Sequence, residues 1–219
     1  MPTAAVTPVP TYGLKTLSVQ TRVIDAATPL DAHSAGVLKS VGIQAVVQYA
    51  PAMDRTRLAA ILSTGLALML IGGYADKPDT WSPSGDLGRT EGQTSVLRAR
   101  TCSYQQGAVL WCDIETPNLA ATAQDILDYG NSWAAEVIAA GYLPGVYVGS
   151  NVRLTAQQLY SMKFVRYWRA GCVGIPEPSC GWAMIQLSPL DQVLQGIGVD
   201  YDIVQGDEKG RYPVAMVQL

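Results

Sequence analysis

A chain of 219 residues, 48% hydrophobic and 15% charged, has the makeup of one folded domain with a sizeable core, which excludes disordered and fibrous classes. A net charge of -3 without any cluster of Lys and Arg excludes a polyanion-binding face, so nucleic acid is not an expected partner. The most apolar run, residues 65–71, is far too short to span a bilayer, and no membrane insertion is expected.

Residues 1–18 are expected to form a flexible N-terminal segment, and residues 19–219 a single domain. The start is rich in Pro, Thr and Ala and lacks the basic and apolar regions of a secretory leader, so the protein reads as soluble, and action outside the cell would call for another export route or a leader already removed. A first strand is predicted over 21–27, with Thr28-Pro29 as cap and first turn of a helix that runs to Val41 and stops at Gly42. A second strand follows over 43–49, a short helix over 54–64, and a nearly all-apolar third strand over 66–71. Residues 72–86 read as a long polar loop containing Lys77-Pro78-Asp79 and Trp81-Ser82-Pro83. A helix over 88–106, a strand from Ala108, a helix over 121–140 and a fifth strand over 144–149 continue the alternation. Then the rhythm thins: a brief helix over 155–160 and strands over 163–168, 182–187 and 199–204, with no room for full helices between them.

Repeated strand-helix-strand units imply parallel strands with right-handed crossovers, and eight such strands close into a TIM-type (β/α) barrel, here five βα units followed by three strands. An open doubly wound sheet is the runner-up, but no Gly-x-Gly-x-x-Gly turn follows the first strand.

Function is written where an apolar strand ends in Asp113-Ile114-Glu115. Side chains at i and i+2 share a face, with Cα atoms about 6.6 Å apart, so the two carboxyls titrate together and one retains a proton nearer neutral pH. Glycoside hydrolysis uses such a pair; the same motif also suits a strand that simply ends in solvent. A barrel should carry its active groups at the carboxyl ends of its strands, and those positions hold Asp25, Tyr49, Asp113 with Glu115, Tyr147, Trp168, Gln186, and Asp200 with Asp202. Asp25 and Asp202 read equally well as caps of the turns that follow, and Tyr147 and Trp168 as packing residues. Together, carboxylates that converge on a mouth lined by Tyr and Trp would be costly to desolvate without a function.

The lone histidine, His33, falls in the first helix, which argues against a His-based triad and against zinc. Four cysteines lack a Cys-x-x-Cys element; Cys172 and Cys180 bracket a Pro- and Gly-containing loop and are the expected disulfide pair, while Cys112 reads as a small buried hydrophobe.

Four blocks carry a family resemblance: Val23-Ile24-Asp25, Trp111-Cys112-Asp113-Ile114-Glu115, Ala140-Gly141-Tyr142-Leu143-Pro144-Gly145-Val146-Tyr147, and Gly198-Val199-Asp200-Tyr201-Asp202. In this order they resemble the glycoside-hydrolase-like domain of unknown function 1906, which is similar to the family 25 lysozymes that cleave peptidoglycan between N-acetylmuramic acid and N-acetylglucosamine. The resemblance implies a barrel of five strand-helix units and three final strands. It implies Glu115 as general acid and Asp113 as its ionised neighbour, orienting an acetamido group or stabilising an oxocarbenium-like transition state. Asp25 and Asp200, preferred to Asp202, would complete the acidic floor. Tyr49, Tyr147, Trp168, Gln186 and Asp202 would contact substrate. Retention and inversion both stay open. The implied activity is that of a peptidoglycan glycosidase, a bacteriophage endolysin or a bacterial wall enzyme, needing no cofactor or metal. The alternative is an inactive barrel serving as a wall-glycan-binding or virion-associated module.

Overall fold

The computed structural model describes residues 10–72 and 81–219, so the expectations for residues 1–9 and for 73–80, Lys77-Pro78-Asp79 included, lie outside the described residues. In chain order the elements are β1 (Tyr12–Thr16), β2 (Arg22–Ala26), α1 (Ala32–Ser40), β3 (Ala45–Tyr49), α2 (Arg55–Ser63), β4 (Ala67–Ile71), α3 (Gly85–Thr101), β5 (Val109–Ile114), α4 (Ala123–Ala139), β6 (Leu143–Val148), α5 (Ala156–Ser161), β7 (Arg166–Arg169), β8 (Met184–Gln186), β9 (Gln192–Leu194), β10 (Ile197–Val204) and β11 (Val214–Gln218).

Eight strands close in the order β4-β3-β2-β10-β8-β7-β6-β5, and β5 returns to β4. Five of them are each followed by a helix and the last three are not, which is the TIM-type α/β barrel the sequence predicts. One strand departs from expectation. β10 runs antiparallel to both its neighbours, β2 and β8, whereas β2 to β8 pair in parallel around the rest of the wall. The connection 187–196 is shorter than the dozen or more residues a parallel crossover needs, so the chain turns back through the β9–β10 hairpin instead.

Strand alternation sorts the core into two layers. Val23, Val47, Met69, Trp111, Trp168 and Met184 fill the barrel interior, while Ile24, Val46, Leu68, Leu70, Leu110 and Cys112 face the helices. Burial on both faces is why these strands read as continuous apolar runs.

Three local expectations are corrected. Helix α1 is capped by Asp31, not by Thr28-Pro29: the Asp31 carboxylate accepts the Ser34 N–H at 2.8 Å, and the Asp31 N–H donates to Ser34 Oγ at 2.8 Å. The bypassed segment is tied to β3 instead, the Leu30 N–H donating to Gln48 Oε1 at 2.9 Å and Gln48 Nε2 to the Ala26 carbonyl at 2.7 Å. Helix α3 starts at the Ser84 cap, one turn before the expected position. Its glycines lower helix propensity yet allow close packing, since a Cβ on Gly88 would lie 2.1 Å from the Tyr129 carbonyl oxygen of α4. Finally, part of the segment 1–18 is ordered: β1 pairs antiparallel with β11 from Tyr12↔Gln218 to Thr16↔Val214, and β11 reaches β4 at Met216↔Leu68.

The expected Cys172–Cys180 disulfide is not formed, and all four cysteines are free thiols. Cys180 is buried against the outer layer with its Sγ 3.6 Å from the Gly181 carbonyl, whereas Cys172 is only partly covered. No described helix is long and apolar enough to cross a membrane.

Candidate active site

Alternation along the barrel strands brings the acidic residues to one mouth. Asp25, the penultimate residue of β2, lies on the interior face, and the antiparallel register sets Asp200 of β10 directly across from it. Two residues deeper, Asp202 lies opposite Gln186 of β8. On the other wall Asp113 of β5 pairs with Tyr147 of β6, which pairs with Trp168 of β7. Asp200 and Asp202 were expected at the carboxyl end of a parallel strand; because β10 is reversed, they reach the same mouth from its interior. Tyr49, at the end of β3, is half-buried and packs on the interior cluster.

Glu115 stands just beyond β5. The Gly149 N–H donates to the Ile114 carbonyl at 3.0 Å and the Thr116 N–H to the Ser150 carbonyl at 2.9 Å, so the β5–β6 ladder continues past the strand end and keeps Glu115 on the Asp113 side. Gly149 leaves it room: a Cβ there would sit 2.3 Å from both Glu115 Cβ and Oε2. Arg153 ties down the following loop by donating to the carbonyls of Pro117 at 2.8 Å, Leu119 at 3.0 Å and Asn118. Neither Gly149 nor Arg153 was singled out from the sequence; the Gly at the end of the fifth strand was the only signal. Gly149→Ala should displace the Glu115 carboxyl without removing it. If Glu115 acts in catalysis, a shift of about 1 Å lowers turnover by about 10²-fold, measurable against unchanged thermal stability.

Burial sets the proton inventory. Asp25, 8% exposed, has its carboxyl pushed up to about 7 by desolvation and by the Asp200 and Glu115 carboxylates, against the hydrogen bond from Gln186. Desolvation, with Asp25 as the nearest like charge, holds Asp202 well above the usual carboxylate range. Its Oδ1 accepts the Trp168 indole N–H at 2.7 Å, and its Oδ2 is buried without a hydrogen-bond partner. Asp113 is likewise held well above its ordinary value by burial, then by Glu115 and Asp25, and its Oδ1 has no hydrogen-bond partner. Burial also raises Glu115 and Asp200, the latter against the Asp191 N–H that donates to it at 2.6 Å.

Burial raises both carboxyls of the Asp113–Glu115 pair, and Asp113 lies deeper, because i,i+2 spacing sets proximity but not depth. One expectation changes here. Trp168 is fully buried under Tyr147, their ring centroids 4.7 Å apart and inclined at 71°, so it offers no open face to a sugar and acts through its bond to Asp202. A recess of about 240 Å³ adjoins Asp25 and Asp200, bounded by Thr28, Asp191, Val193 and Val199.

A family model for the Rv2525c-like, glycoside hydrolase-like domain matches residues 38–193. None of the curated proteins matches the sequence. Solved structures do match in fold. An uncharacterized protein of B. stearothermophilus aligns with a TM-score of 0.64 at 16% identity, over 84% of this chain and 95% of that one. The catalytic domain of endolysin ply40 from bacteriophage P40 of Listeria monocytogenes aligns at 0.55 and 16% identity, over 85% and 93%. A family 25 glycosyl hydrolase from Bacillus anthracis aligns at 0.52 and 12% identity, over 87% and 91%. At such identities the likeness is one of fold.

Proposed function

The chain belongs to the Rv2525c-like, glycoside hydrolase-like domain family, and we propose that it is a glycosidase that cleaves bacterial cell-wall glycan with carboxyl groups at the barrel mouth. The observation that carries this reading is the convergence of Asp25, Asp113, Glu115, Asp200 and Asp202 from three strands, with burial raising the carboxyl of every one. Five carboxyls cannot ionise together in one desolvated mouth, so the site retains protons near neutral pH, which is what protonating a glycosidic oxygen requires.

In this reading Glu115, the half-buried member at the rim, is the general acid. Asp113 changes state on binding. An amide N–H from a substrate acetamido group, set against the unpartnered Asp113 Oδ1, favours the carboxylate there; the proton then resides on Glu115, next to the leaving oxygen. Asp25 and Asp200 face developing positive charge at the sugar, and the adjoining recess receives part of the ring. Tyr49 and Tyr147 offer aromatic edge and hydroxyl to the glycan. The place of action is the cell wall, reached after release or export, and the endolysin and family 25 folds support that substrate class.

The test is digestion of purified walls, with products identified by mass spectrometry and new reducing ends counted. Soluble fragments with new reducing ends are expected. A folded chain that binds walls and releases none would be a binding module instead.

A further inference from the structure

Gln186 was expected to contact substrate, yet it is only 3% exposed and every hydrogen-bonding position of its amide is used. Oε1 accepts from the Tyr147 hydroxyl at 3.0 Å and from the Gly171 N–H at 3.0 Å. Nε2 donates to Asp25 Oδ2 at 3.0 Å and to Asp200 Oδ2 at 3.2 Å. Two acceptor positions and two donor hydrogens are thereby all engaged, and none is left for a sugar hydroxyl.

The Gly171 N–H decides which way the amide points. A backbone N–H only donates, so a flipped amide would set N–H against N–H and leave two carboxylates facing a carbonyl oxygen. The donor end is therefore committed to the acidic side. We propose that Gln186 is a positioning residue: its amide, locked by Gly171 and Tyr147, pins Asp25 and Asp200 together as hydrogen-bond acceptors and so directs the retained protons of the mouth to other carboxyls.

The surroundings say why an amide stands there. The ionisable groups facing the Asp25–Asp200 pair are Asp202 on β10, Asp191 at the entry to β9, Glu115 and Asp113 from the β5 side, and Tyr147 on β6. Apart from Tyr147, all are acids. Donors from a neutral amide draw the two carboxyls toward ionisation without placing a cation where positive charge is to develop on a substrate. With Asp25 and Asp200 accepting from the amide, the retained protons are biased toward Asp202 and Asp113, which burial holds well above the carboxylate range. Only this last, catalytic consequence rests on the hydrolase reading; the pinning itself does not.

The experiment is a carbon-13 carboxyl titration of the full chain by NMR, without glycan, on the wild type, Gln186→Met and Gln186→Glu. Gln186→Met keeps the length of the side chain and removes both donors. It should raise the Asp25 midpoint by about one pH unit or more and move Asp200 the same way. Gln186→Glu, close to isosteric, keeps the shape should the methionine variant fail to fold. It should raise the Asp25 midpoint further, because a sixth carboxyl joins the cluster. A folded variant in which both midpoints stay at their wild-type values overturns the proposal, even if its stability falls, since a merely structural Gln186 would cost stability without moving a titration. If wall digestion fails while the midpoints move, the hydrolase reading is lost and the pinning stands. If digestion succeeds, the pH optimum of both variants should shift upward with the midpoints.

Discussion

Glu115→Gln is expected to lower the release of reducing ends from purified walls by about 10²- to 10⁴-fold, the contribution of a positioned general acid, while wall binding and thermal stability stay close to wild type. The amide fills the same volume beside Gly149 and lies at the half-buried rim, so little packing is lost. It has no proton to give to a leaving oxygen. Substrates with an activated leaving group, which need less protonation, should lose much less, and that contrast separates an absent acid from a disturbed site. Full activity in this variant would assign the proton to another member of the cluster, with Asp113 next because burial holds its carboxyl well above the usual range.

The barrel was legible in the sequence because burial on both faces leaves a plain record. β2, β3, β4 and β5 are apolar runs, and the acid near the end of β2 and the Asp-Ile-Glu that ends β5 mark the mouth. Strand direction leaves no such record. The alternation of Val199, Tyr201 and Ile203 against Asp200 and Asp202 is the same read either way, and only the short connection 187–196 hints at the reversal of β10. β1 and β9 were missed for a related reason: they are short, flank the barrel and keep exposed positions such as Leu14 and Val193, so neither apolar run nor clean alternation sets them apart; β11, a short apolar run, was missed as well.

At the barrel mouth, convergence was legible and depth was not. Eight of the nine residues read from strand ends, Asp25, Asp113, Glu115, Tyr147, Trp168, Gln186, Asp200 and Asp202, are joined in one network of hydrogen bonds and like charges. Depth separates them, and depth depends on register across strands. Trp168 and Asp202 lie one layer down, where the indole can reach only the carboxylate. Gln186 meets its four partners only when β8 lies between β7 and β10, with the loop after β7 folded over its end. Gly149 and Arg153 matter through what they allow or hold near Glu115, and neither effect has a sequence signature.

A protein that crowds buried acids in this way should be least stable where all of them must ionise. For Asp25 the unfolded carboxyl titrates near 3.8 and the folded one near 7. Below the lower value both states carry the proton and Asp25 costs nothing. As pH rises through the interval the unfolded chain loses its proton first, so stability falls, and the full penalty is present above the folded value. For this one group the penalty is on the order of a few kcal/mol. Asp113 and Asp202, raised well above the carboxylate range by the same burial, extend the decline to higher pH. Asp25→Asn removes the charge and brings an N–H donor next to the unpartnered Asp202 Oδ2. Its melting temperature should match the wild type near pH 4 and exceed it increasingly up to pH 8, while glycan cleavage falls. A gain of the same size at both pH values would mean that the variant repacks the mouth, and that ionisation of Asp25 is not what strains it.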